Sequence, residues 1–107
     1  MTLSEYQDRA AGTDVGQASR HEALNYGIVA LCGEAGELAN KWKKVLRKDG
    51  DTFPTEVFVD ELGDVLWYLA KIARDLSVTL EVVGARNLEK LQSRKERGTL
   101  KGSGDNR

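Results

Sequence analysis

Residues 57–76 read VFVDELGDVLWYLAKIARDL, and the spacing of their apolar side chains decides the fold. At about 100° per residue, Phe58, Leu62, Val65, Leu66, Leu69, Ala73 and Leu76 fall on one helical stripe. Val57, Glu61, Asp64, Tyr68 and Ile72 form a second strip beside and behind it. A helix apolar on more than one side has to be covered on more than one side. The remainder of a 107-residue chain offers too few helices to wrap it completely, which predicts a second subunit, most economically in a homodimer.

Upstream, Leu24, Ile28, Leu31, Ala35, Leu38, Trp42 and Val45 recur at steps of four and three, the pattern of a long amphipathic helix with a core stripe. Ser19-Arg20-His21-Glu22 opens it in capping-box form, and Lys43, Lys44, Arg47 and Lys48 suit the negative end of its dipole. Asp49-Gly50-Asp51 should break it, and Pro54-Thr55 marks the restart. Residues 1–11 read as a short helix with Ser4 as N-cap. Residues 75–77 read as a turn, after which Thr79 caps a last helix running to about Arg97, with Val82, Val83, Leu88 and Leu91 inward. No alternating strand pattern occurs. The expected fold is all-α, a small bundle of about four helices completed by homo-oligomerisation. Residues 1–97 form the domain, and the polar, glycine-rich residues 98–107 a flexible tail.

Composition narrows the function. With 40% hydrophobic and 31% charged residues the chain is globular rather than disordered. One cysteine excludes an internal disulfide framework and a cysteine-rich zinc site; Cys32, beside the core stripe, is expected to be a buried thiol. A net charge of −1 gives no reason to expect nucleic-acid binding. No apolar run approaches the ~20 residues that span a bilayer, and residues 1–13 lack a signal-peptide pattern, so a cytoplasmic, membrane-free protein is expected. The charge is nevertheless segregated: Lys41, Lys43, Lys44, Arg47 and Lys48 precede Glu56, Asp60, Glu61 and Asp64, and seven bases follow residue 84.

Two carboxylate pairs stand out, Glu34-Ala-Gly-Glu37 and Glu61-Leu-Gly-Asp64. Each is spaced i, i+3, on one helical face, beside an apolar stripe. If the two helices pack antiparallel, four carboxylates converge, and such a cluster destabilises the fold unless a cation neutralises it. Oxygen-only ligands favour Mg²⁺ or Mn²⁺ over zinc. A helical di-iron site needs Glu-x-x-His pairs, and the one histidine, His21, stands in neither. Gly33, Gly36 and Gly63 each cost the helix about 1 kcal/mol relative to alanine, a cost that close helix approach or room for a bulky anion would explain. The residues alone leave a solvated acidic face as the alternative.

Glu34-x-x-Glu37 and Glu61-x-x-Asp64, with 23 residues between them, resemble the signature of the MazG-like, all-α nucleotide pyrophosphohydrolases. The local wording GEAGEL (33–38) and DELGDVLWYL (60–69) is similar too, as is Asn87-x-x-Lys90-Leu91. The resemblance covers about residues 20–97. It implies a dimeric or tetrameric helical enzyme that hydrolyses nucleoside triphosphates to monophosphate and pyrophosphate, with Mg²⁺ on Glu34, Glu37, Glu61 and Asp64. It also places Asn87 and Lys90 near the metal and phosphates.

That reaction suits the residues. Water attacks the α-phosphorus while pyrophosphate leaves, a displacement that needs alignment and charge neutralisation more than a covalent nucleophile. A carboxylate not saturated by metal accepts the proton of the water; Glu37 is the first candidate and Glu34 the second. Lys41, one turn beyond Glu37, is a candidate phosphate ligand, followed by Lys44, Lys90 and Arg94. Trp42 or Trp67 can supply the flat surface that a base requires. The competing function is a non-catalytic dimeric module that binds a nucleotide or a protein.

Overall fold

A computed structural model describes residues 1–16, 18–47 and 55–107. Among them are four helices and no strand: α1 (Leu3–Ala11), α2 (Arg20–Leu46), α3 (Thr55–Asp75) and α4 (Leu80–Glu96). The expected break at Asp49-Gly50-Asp51 and the restart at Pro54 lie outside the described residues.

The helix starts follow from capping chemistry. Ser19 Oγ accepts the Glu22 N–H at 3.3 Å, and Thr79 Oγ1 accepts that of Val82 at 3.1 Å. At α1 the N-cap is Thr2, not Ser4. Glu5 stands three residues after Thr2, so the two close a full capping box with bonds of 2.7 and 3.1 Å, whereas Gln7, three residues after Ser4, is turned to the backbone of Ala70, Val78 and Leu80. After α3 the chain turns at Ser77, whose φ of 61° lies in the left-handed region.

α2 and α3 pack antiparallel. Tyr26 meets Tyr68 with ring centroids 6.5 Å apart, and Trp42 meets Phe58 at 5.8 Å. Gly27 permits the closest approach: a Cβ there would come within 3.1 Å of Ile72 Cγ1. Gly33, Gly36 and Gly63, expected to serve close helix approach or to leave room for a bulky anion, have open space where a Cβ would stand. α1 crosses the other side of α3 and reaches the start of α4. Its Tyr6 packs with Leu66 on the small core of Ala70, Ala73 and Leu80.

Several expected core positions are not covered. Ile28, Trp42, Val82, Val83, Leu88 and Leu91 are exposed, and so is Cys32. The reason is the arrangement of helices: α2 touches only α3, and α4 touches only α1 and α3, so their outer faces meet no other helix among the described residues. The accessible surface is 7994 Å², against about 5,900 Å² for a folded monomer of this mass. No helix among the described residues is long and apolar enough to cross a membrane. The tail lies back against α4, where Asp105 pairs with Lys90 at 3.0 Å and Arg94 at 3.2 Å.

Candidate active site

The antiparallel packing brings three of the four singled-out carboxylates together. Glu34 from α2 and Glu61 and Asp64 from α3 each offer an oxygen, all within 4.8 Å of one another. Glu61 and Asp64 share a face because they are three residues apart, and Glu34 faces them across the α2–α3 seam. Glu37 lies outside this triad and is exposed. Spacing does not separate them, since Glu34 and Glu37 are also three residues apart; the rotation of α2 at the seam turns Glu34 and not Glu37 toward α3.

The donor set fits a hard divalent cation. Octahedral oxygen ligands at about 2.1 Å stand about 3.0 Å apart when adjacent and about 4.2 Å when opposite, so the triad has to draw together to share an ion. Without a cation the arrangement is costly. At this separation each pair of like charges repels by about 3 kcal/mol in a partly screened setting.

One positive group already enters the cluster. Lys41 Nζ, one turn beyond Glu37 on α2, donates to Glu61 Oε1. That hydrogen bond is the main reason the Lys41 ammonium is held above the usual lysine value; burial opposes the shift, while the charges of Glu61, Glu37 and Asp60 add to it.

Beside the triad is an aromatic wall. Trp67 and Tyr68 meet edge to face at 4.9 Å, and Trp67 Nε1 donates to Thr13 Oγ1 at 2.8 Å. A cleft of about 360 Å³ opens on Glu34 and Asp64, with Thr13, Trp67 and Tyr68 as its remaining lining. A larger one of about 620 Å³ shares those three residues and continues past Tyr26 and Lys71. Burial, then the hydrogen bond with Tyr26, pushes the Tyr68 hydroxyl above its usual pKa. Burial also raises that of Tyr6, with the charge of Asp64 adding to it.

The loop after α1 is pinned to this wall. Asp14 accepts from Arg74 at 2.5 Å and lies 3.9 Å from Lys71 Nζ, while its other oxygen accepts the Gly16 N–H at 3.0 Å. Burial alone would raise the Asp14 pKa, but the Gly16, Arg74 and Lys71 interactions outweigh it and hold the carboxyl below its usual value. Thr13, Asp14, Tyr26, Lys71 and Arg74 are absent from the sequence-based set. The available signal is Lys71-x-x-Arg74, two cations on one face within the apolar second half of α3.

The remaining candidates lie elsewhere. Trp42 packs its ring against Phe58 and is half exposed, and Lys44 is exposed near the end of α2. Asn87 is exposed on α4, Lys90 and Arg94 hold Asp105, and α4 makes no close approach to α2 within the chain. His21 is exposed at the start of α2.

Comparison with known proteins bears on this cluster. The model of the MazG nucleotide pyrophosphohydrolase domain matches residues 22–99, a span that contains both carboxylate pairs. The chain is also similar to the Gene 37 protein of Mycobacterium phage L5, 47% identical over 114 residues covering 100% of both chains. No solved structure matches.

Proposed function

Because the chain belongs to the MazG nucleotide pyrophosphohydrolase family, we propose that it hydrolyses nucleoside or deoxynucleoside triphosphates to the monophosphate and pyrophosphate, in nucleotide-pool cleaning or control. The observation that carries this reading is the convergence of Glu34, Glu61 and Asp64 within 4.8 Å inside the matched span. These three carboxylates would hold Mg²⁺, or Mn²⁺ in its place, with Glu37 as the fourth candidate ligand. There an ion would supply charge neutralisation at the phosphates and lower the pKa of water.

The residues of the chain do the rest. Glu37, exposed and outside the triad, accepts the proton of the attacking water, with Glu34 as the second candidate. Lys41 and Lys44 approach the phosphates from α2. The cleft along Trp67 and Tyr68 receives the base on an apolar, aromatic surface. Asn87, Lys90 and Arg94 contribute to phosphate binding from α4, and Trp42 takes part in base binding or in subunit contact.

The protein works as a homodimer or tetramer in the cytoplasm. Support for association comes from the apolar outer faces of α2, α3 and α4, where Leu62 is 54% and Leu88 68% exposed. The roughly 2,000 Å² of surface beyond that expected of a folded monomer agrees with it. No membrane or nucleic acid is involved.

Incubation of the purified protein with Mg²⁺ and each common nucleoside triphosphate, with the products resolved, tests the activity. Monophosphate plus pyrophosphate is expected. Orthophosphate alone would point to another reaction, and tight binding without turnover to the non-catalytic module.

A further inference from the structure

Glu61 is the buried member of the triad, 8% exposed, and Lys41 Nζ sits on its Oε1. A buried carboxylate needs a counter-charge, and Lys41 provides it. The two partners differ in mobility. The Glu61 side chain is held between packed helices, whereas that of Lys41 is 34% exposed and carries a compact charge on a flexible four-carbon stem. The ammonium can therefore swing into solvent without moving α2, while Glu61 stays.

Glu61 also belongs to the three-carboxylate group, so a divalent cation and the Lys41 ammonium compete for one side chain. Resting on the function proposed above, we propose that Lys41 is a built-in competitor at the divalent-ion site, displaced from Glu61 when the ion enters and thereby released to hold the polyphosphate. It is a positioning residue for ion and anion in turn, and it makes anion capture follow ion entry. The charges agree with this order. Three carboxylates and one ammonium sum to −2; exchanging the ammonium for a divalent ion brings the triad to −1 and frees a positive group beside it. An arginine would not serve as well, since its planar fork grips a carboxylate at two points and is released less readily.

Mn²⁺ binding to the full chain, followed by the electron paramagnetic resonance signal of free Mn²⁺, tests this with wild type, Lys41→Met and Lys41→Gln. Glutamine keeps a hydrogen-bond donor for Glu61 without the charge, and circular dichroism establishes that each variant is folded. If Lys41 occupies Glu61 nine-tenths of the time, its removal raises the apparent Mn²⁺ affinity about tenfold. A purely structural ion pair gives the opposite sign, so unchanged or weaker Mn²⁺ binding in both variants overturns the proposal. Calorimetry with inorganic tripolyphosphate and the Mn²⁺-loaded proteins should show weaker binding in both variants, and wild-type affinity there would remove the hand-over to phosphate. Wild type that takes up no Mn²⁺ overturns the ion-binding part of the proposed function together with this inference. Equal Mn²⁺ affinity in wild type and variants removes only the role of Lys41.

Discussion

Gln7 on α1 accepts the backbone N–H of Leu80, the first residue of α4, at 3.1 Å across 73 positions of sequence. The same side chain donates through Nε2 to the carbonyls of Val78 at 3.0 Å and Ala70 at 3.3 Å. A buried glutamine 6% exposed thus satisfies the turn between α3 and α4 and ties three helices together. Replacement by leucine keeps the volume but leaves buried main-chain groups unpaired, at about 1–3 kcal/mol. Gln7→Leu should lower the unfolding free energy by about 2 kcal/mol in urea titration, while ion binding by the folded protein is unchanged.

The carboxylates should separate into two classes. Glu61→Gln and Asp64→Asn should abolish both ion binding and turnover, because each supplies a triad oxygen. Glu37→Gln should retain most of the Mn²⁺ affinity and lose turnover by about 100-fold or more, the scale of a missing general base. Parallel Mn²⁺ titration and product assays check the difference. Wild-type rates in Glu37→Gln would remove it as the base.

Trp67 should matter to the nucleotide and not to the ion. Trp67→Ala removes an aromatic wall shared by both clefts and should weaken nucleotide binding about tenfold, as lost stacking does. Mn²⁺ affinity should stay at the wild-type value. Thr13→Val, which removes the hydroxyl that holds the indole, should produce a smaller effect of the same kind.

Acid should release the loop after α1. The Asp14 carboxyl is held below its usual value in the folded protein, so the unfolded chain binds the proton more readily. The stability it contributes is complete above the unfolded carboxylate value of about 3.9 and is lost as pH falls through the lower folded value. Arg74→Ala removes a partner that lowers this pKa and should move loop release to higher pH. Tryptophan fluorescence along an acid titration reads it, since Trp67 bonds to the neighbouring Thr13.

Association should depend on the uncovered face of α4. Leu88→Lys places a charge at a position 68% exposed in the single chain, a change with little cost to an isolated helix. Light scattering should give a multiple of the 11.8 kDa chain mass for wild type and a lower mass for the variant. Equal masses would move the interface elsewhere.

The four helices were legible because capping and periodicity are local properties. Thr79 and the apolar steps of residues 57–76 needed no tertiary information. Ser4 misled because a hydroxyl near a helix start is common, and only the reach of Glu5 back to Thr2 selects the cap. The inward reading of Val82, Val83, Leu88 and Leu91 rested on periodicity, which marks a face as apolar and leaves open what covers it. The carboxylate triad was legible from spacing, because antiparallel packing places Glu34 opposite Glu61 and Asp64. The position of Glu37 was not, since it depends on helix rotation at the seam. Asp14 with Lys71 and Arg74, some 60 residues apart, makes a contact that no local pattern encodes.

Within one chain α4 makes no close approach to α2. In the proposed homo-oligomer, help that Asn87 or Lys90 gives on the α2 side of a triad would come from another copy. Dilution would then become a kinetic variable: turnover per mole of chain would fall as assemblies dissociate, even while every helix stays folded. For such a protein, abundance itself would set the rate at which each molecule works.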